Sequence, residues 1–261
     1  MKNDISFLKR AGVLALYVGL IFSVLILISW GNRKMAAQTP KPAANAVVVL
    51  ELFTSQGCSS CPPADALLGE YASSHNMRII PLSFHVDYWD RLGWKDPFSD
   101  HAFTERQQQY SHTLPGHEVY TPQLVVNGRS ETVGNNRNSV KNLIQKELSA
   151  GALSVVSIER ADVEKNMVGF HYTVAGNKSD DQLAIALVQK HATTPIRAGE
   201  NEGVTLTNHN VVGSVATQPL TAAGNGTVAI PANFKAADYS LVVFLQNKKT
   251  LAISSAAIKD L

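Results

Sequence analysis

The sequence predicts an α/β domain followed by an all-β, sandwich-like domain, both behind an N-terminal hydrophobic segment. Three observations predict it: an uncharged apolar stretch from Ala11 to Trp30, a strand, turn, helix, strand order between Val47 and Val86, and a change at Ala152 to short alternating runs. The expected boundaries are 1–37 for a cytoplasmic tail with a transmembrane anchor or signal segment, 38–45 for a linker, 46–150 for the first domain and 151–261 for the second.

The leading stretch is long enough to cross a membrane, because a helix rises ~1.5 Å per residue and the hydrocarbon layer needs about 20 apolar residues. Lys9 and Arg10 precede it, Arg33 and Lys34 follow it, and Lys2 tips the balance toward an inside N-terminus. The alternative is an export signal cleaved near Met35-Ala36-Ala37. Both readings put the body in the periplasm or outside the cell. Gln38 to Asn45 (QTPKPAAN) then reads as a stiff spacer. In the whole chain 23 Lys plus Arg stand against 21 Asp plus Glu, so no cationic surplus exists to displace counterions from a nucleic acid.

Val47 to Phe53 is a β-branched and apolar run, the composition of a strand covered on both faces. A polar turn, Thr54-Ser55-Gln56-Gly57, leads into Cys58-Ser59-Ser60-Cys61-Pro62-Pro63. Ala64 to Ser74 carries Leu67, Leu68 and Tyr71 at helical spacing, and Met77 to Val86 reads as a second buried strand, parallel to the first. Leu124 to Val126 enters a tight Asn127-Gly128 turn and returns through Thr132-Val133. Asn138 to Leu148 is helical until Gly151. The second domain is built from Leu153 to Ile158, Val168 to Val174, Leu183 to Val188, Val204 to Val212, Thr227 to Ile230, Leu241 to Leu245 and Leu251 to Ile258. It offers no nucleophile, phosphate loop or clustered ligands, and its expected role is structural support.

The two cysteines of the chain stand three apart, a spacing that random placement gives on the order of 1% of the time. A Cys-x-x-Cys ahead of a helix suits thiol–disulfide exchange, because backbone N–H groups and the helix dipole stabilise the first thiolate. Cys58 is therefore the candidate nucleophile and Cys61 the resolving thiol. Three neighbours modulate that: Pro62-Pro63 delays the helix past the thiols, Asp65 competes for the same dipole, and Ser59 and Ser60 are hydrogen-bond donors for sulfur. Thr121-Pro122, just before the Leu124 strand, completes the constellation.

With these parts in this order, the chain resembles the thioredoxin superfamily, where a cis-proline before a strand faces the cysteine pair; Pro122 is the matching position. FTSQGCSSCPPAD, SFHVDYWDRLGWKDPF, VYTPQLVVNG and RAGENEGVTLTNHNVV further resemble an exported thioredoxin-like family catalogued as a domain of unknown function, family twelve-twenty-three. The resemblance implies a thioredoxin-like first domain and an exported compartment. It implies no activity.

Phe84 to His101 is rich in His, Asp and Trp. Its functional reading is a lid over the thiols, with His85 or Asp87 relaying a proton and Trp89 lining the site with Ser59, Ser60 and Thr121. The alternative is that Trp89, Trp94 and Phe98 pin a long loop. Glu51 reads as a solvated edge carboxylate or as a buried acid assisting exchange. The expected function is thiol–disulfide exchange on the thiols or disulfides of exported proteins, with an inner-membrane or exported redox partner and no cofactor. Two alternatives stand beside it: soft-metal (copper) binding or delivery by Cys58, Cys61 and His85, or by the two cysteines with His117, and a non-catalytic binding protein with an inert disulfide. The redox reading requires sulfurs that are close to Pro122 and not walled in.

Overall fold

The structure is a computed structural model that describes residues 46–74, 76–152, 154–176 and 180–261. The expected anchor or signal and its spacer lie outside the described residues, and among these no helix is long and apolar enough to cross a membrane.

Strand β1 (Val48–Thr54) is buried at every position, as a run apolar on both faces demands. Helix α1 (Pro62–Ser73) crosses over to β2 (Ile79–His85), which lies parallel to β1 from Val48↔Ile79 to Thr54↔His85. Strand β3 (Gln123–Val126) pairs antiparallel with the other edge of β1. Asn127 and Gly128, at φ 48 and 62, make the left-handed turn into β4 (Ser130–Val133). Helix α3 (Arg137–Ala150) begins at Asn136, whose side chain accepts the Ser139 N–H. Alternation divides β1 between two cores. Val48, Leu50 and Leu52 pack on Leu67 and Leu68 of α1 and on Val140 and Ile144 of α3. Val49 and Phe53 face the opposite side, with Phe103 and Tyr110.

Those last two residues sit on helix α2 (His101–Thr113), which the sequence reading leaves within and beyond the rich loop rather than as an element. Asp100 caps it by accepting the Ala102 N–H. Its buried stripe, Phe103, Arg106, Gln107 and Tyr110, has helical spacing but is half polar, so hydrophobic periodicity does not reveal it. The polar members are matched from β1. Glu51 is fully buried and takes Nε of Arg106 at 2.6 Å and the Tyr110 hydroxyl at 2.5 Å. It is neither a solvated edge group nor an acid beside the cysteines. Arg106 also donates to Gln246, and its guanidinium lies 5.3–5.6 Å from the rings of Phe84, Tyr110 and Phe244.

The second half supplies β5 (Ser154–Glu164), β6 (Met167–Gly176), β7 (Asp181–Pro195), β8 (Thr205–Pro219), β9 (Ala223–Ala229), β10 (Tyr239–Asn247) and β11 (Ile253–Asp260). β5, β6 and β9 form one three-stranded sheet, while the others extend the first half's sheet in the order β11-β10-β7-β8-β2-β1-β3-β4. The sheet thus runs across residue 150. The two sheets face each other through Val156, Phe170 and Tyr172 on one side and Ile185, Leu187, Leu241 and Val243 on the other, giving the all-β half a sandwich-like core. The join to β2 is short: one parallel register pair, Ser83↔Val211, beside Asn210, which adopts φ 47 and donates from its side chain to the Pro81 carbonyl at 2.9 Å. The whole is a mixed α/β domain with one large sheet and few helices.

Removing one partner of a buried ion pair leaves an uncompensated charge. Arg106→Met should therefore lower the urea-unfolding free energy by about 3–5 kcal/mol. Arg137→Ala, which breaks the exposed pair with Glu70, should leave the midpoint unchanged.

Candidate functional site

The turn after β1 is shaped by its own backbone. Cys58 donates its N–H to the Ser55 carbonyl and Cys61 donates to the Cys58 carbonyl, each at 3.2 Å. Helix α1 starts at Pro62, where a missing N–H is no loss, and the amides of Ala64 and Asp65 donate to the Cys61 carbonyl. The helix thus begins immediately past the second cysteine, with Cys61 at its N-cap. Cys58 and Cys61 are joined in a disulfide, with Cα atoms 5.4 Å apart.

Around the sulfurs the structure brings together several of the expected residues. The Thr121–Pro122 peptide is cis, and the Thr121 hydroxyl donates to Sγ of Cys58 at 3.4 Å. Ser60 Oγ lies 3.3 Å from the same sulfur. Trp89 donates from its indole to Thr121 Oγ1 at 2.8 Å, one residue removed from the sulfur. Ser59 does not face sulfur; its N–H donates to the Glu200 carboxylate. Asp87 is held instead at the start of α2 by Thr104 and His101. His117 bonds to the Ser111 carbonyl on the surface. Among the described residues no group of three or more His, Cys, Asp or Glu is arranged to hold a metal ion. In particular the cysteines are bonded to each other and His85 is engaged by Asp96.

Both cysteines have 0% exposure, so the sulfurs, with Thr121 against Cys58, are walled in. The open thiol site expected from the sequence is thus corrected to a closed one, and long-range contacts account for it. The rich loop supplies Trp89 and also Trp94, which donates to the Gln56 side chain. The β7–β8 connection supplies the rest. Asn201 donates from its side-chain amide to the carbonyls of Gln56 and Cys58, at 2.8 and 3.0 Å. Gly199, at φ 80, packs against Trp94, where a Cβ would lie 3.1 Å from that of the tryptophan. The Gly199-Glu200-Asn201-Glu202-Gly203 run is therefore a cover over the cysteine turn.

Beneath the turn lies a buried polar group. Asp96 accepts His85 Nδ1 at 2.7 Å and the Gln56 N–H at 2.8 Å. Burial is the largest influence on His85 and would lower its pKa, but the charge and hydrogen bond of Asp96 together with the charge of Asp65 reverse it and leave the pKa raised. Asp65, one helical turn past Cys61, accepts the Thr54 hydroxyl at 3.1 Å. Burial raises its carboxyl to about 7 against the pull of His85. Asp65 Oδ1 and His85 Nε2 are buried without a hydrogen-bond partner among the described residues. Sequence reasoning treats Asp65 only as a competitor for the dipole and gives Asp96 and Asn201 no role. Their signal is a distance in space, not a spacing in the chain.

Among protein families, the one described as Protein of unknown function (DUF1223) matches residues 49–246. No curated protein matches the sequence. Among solved structures, the chain is similar to the X-ray crystal structure of protein AGR_C_4864 from Agrobacterium tumefaciens. That match has 31% identity and a TM-score of 0.64 over 83% of this chain and 95% of that one. A domain of the outer membrane lipoprotein Omp28 from Porphyromonas gingivalis matches at 15% identity and a TM-score of 0.27, over 42% of this chain and 96% of that one. That score is too low to support an argument.

The Asp65 carboxyl makes stability depend on pH with a definite sign. An acid whose pKa is raised by folding contributes stability fully below its unfolded value of about 4 and loses it as pH rises through about 7. Asp65→Asn should accordingly be more stable than wild type above pH ~7, by about 1–4 kcal/mol, with the gap closing toward pH ~4. Urea midpoints across that range check it, and a gap independent of pH contradicts it.

Proposed function

Because the chain belongs to the DUF1223 family, whose description assigns no activity, we propose its function from its own residues: thiol–disulfide exchange on exported proteins through Cys58 and Cys61. The observation that carries this reading is the Cys58–Cys61 disulfide at the β1–α1 junction, with the hydroxyl beside the cis Thr121–Pro122 bond on Cys58 sulfur. A thioredoxin-like reading of the core is supported by the order β2-β1-β3-β4, with α1 between parallel strands and β3 antiparallel. Export is supported by the apolar leading stretch and by a disulfide, which persists in oxidising compartments.

In the oxidising direction a substrate thiolate attacks Sγ of Cys58. The bond to Cys61 breaks and its electron pair leaves on the Cys61 sulfur, which takes a proton. We assign that proton to the buried Asp65 carboxyl, with His85 and Asp96 setting the local charge. A second substrate thiolate then attacks the substrate sulfur of the mixed disulfide and releases Cys58 as a thiolate, which the Ser60 and Thr121 hydroxyls stabilise. The substrate loses two electrons and the protein gains them; an exported or inner-membrane redox partner removes them again. The closed arrangement lacks the open sulfurs that the redox reading requires, so in this scheme attack takes place only after the Asn201 cover is displaced.

The burial of both sulfurs favours a second reading, an inert structural disulfide. Trapping separates the two. In the reverse direction the Cys58 thiolate attacks a substrate disulfide, expelling one substrate thiolate, and Cys61 resolves the mixed disulfide; Cys61→Ser should therefore accumulate mixed disulfides with exported proteins in cells, and these should vanish when Cys58 is also replaced, whereas a variant that traps nothing sustains the inert reading. Asn201→Ala removes two buried hydrogen bonds, so reduction of the disulfide by dithiothreitol should quicken about tenfold. Equal rates in variant and wild type remove the cover from the scheme.

A further inference from the structure

Away from the cysteines, the β7–β8 hairpin carries a pair of histidines at directly opposed positions, His191↔His209. Their Nδ1 atoms face each other at 3.0 Å, and the ring planes stand at 84°. Only one proton fits between two such nitrogens, so at neutral pH at least one lone pair is directed into the gap. His191 is exposed and His209 half-buried, so solvent reaches the pair.

The seat of His209 is built into α1. A Cβ on Gly69 would lie 2.6 Å from Cδ2 and 2.8 Å from Nε2 of His209. Glycine inside a helix costs about 1 kcal/mol relative to alanine, and here it admits the imidazole and fixes its direction.

We propose that His191 and His209 form a bidentate site for a divalent transition-metal ion, with water completing the coordination. Two nitrogens 3.0 Å apart, each about 2.0–2.1 Å from a common ion, subtend about 90° at it. That is the cis angle of square-planar or octahedral coordination, whereas a tetrahedral ion would need a gap of about 3.4 Å. The site therefore suits Cu(II) or Ni(II) better than Zn(II), and Cu(II) stands highest in the affinity order. Binding requires the Nδ1–H ring to move its proton to Nε2, a tautomer change with no net proton release. Thr193 and Thr207, the next facing pair on the same side of the hairpin, present hydroxyls to the water ligands.

The test is titration of the purified full chain, disulfide intact, with Cu(II) alone at neutral pH. Electron paramagnetic resonance should show one Cu(II) per chain with coupling to two nitrogens. His191→Ala and His209→Ala should each weaken binding about tenfold or more, since each leaves a single ligand; His171→Ala, on β6, should not. To guard against misfolded variants, Ni(II) added to wild type should broaden the ring proton resonances of His191 and His209 before those of the other histidines. Equal Cu(II) affinity in wild type and both variants, or one-nitrogen coupling, overturns the proposal. Tighter binding of Zn(II) than of Cu(II) overturns its geometry.

Discussion

A turn buried beneath other chain segments must find partners for its backbone carbonyls, and the turn holding Cys58 finds two of them on one distant side chain. The Asn201 amide spans the carbonyls of Gln56 and Cys58. Without it the Gln56 carbonyl would be out of water and unpaired, at a penalty of about 1–3 kcal/mol, and the Cys58 carbonyl would keep only the Cys61 N–H. Much of the architecture serves to bring Asn201 there. The β7–β8 strands are unusually long for a hairpin, β8 holds a left-handed residue at Asn210, and its first half runs over α1 at Gly69. The site is therefore assembled from both halves of the chain, and neither half holds it alone.

Two buried acids on this framework are treated in opposite ways. Glu51 is given a guanidinium, a phenol and a ring of aromatic faces, and it locks α2 to β1 and β10. Asp65 is given a single hydroxyl and a histidine whose charge is already committed to Asp96. The first arrangement is saturated and serves the fold. The second leaves one carboxylate oxygen and one imidazole nitrogen without partners, so its protonation can change without breaking a bond that the fold needs.

What the sequence reveals follows how local the cause is. β1, α1 and β2 are legible because their covered faces write apolar runs and helical spacing directly into the chain, and the Asn127-Gly128 turn is legible because it needs left-handed backbone. Helix α2 is hidden by Arg106 and Gln107, whose burial makes sense only once Glu51 and Gln123 are seen opposite them. At the candidate site, the cysteines, Thr121, Pro122, Ser60 and Trp89 can be named from motif and order. Asn201 cannot, since it meets Cys58 from 143 residues away. The burial of the sulfurs comes from the same remote loop, so no local pattern announces it.

The short contact between β2 and β8 has a mechanical consequence. Neighbouring ladders are long: β1 and β2 align over seven residues, and β7 meets β8 from Gln182 to Pro195. Between them stands one register pair, reinforced by Asn210 on the Pro81 carbonyl. The eight strands therefore form two long ladders joined by one backbone register pair and by a shared core, in which Phe53, Leu82 and Phe84 pack with Ala186, Val212 and Phe244. A tear there would break little backbone pairing yet expose that whole apolar face, so side-chain packing rather than strand pairing resists it.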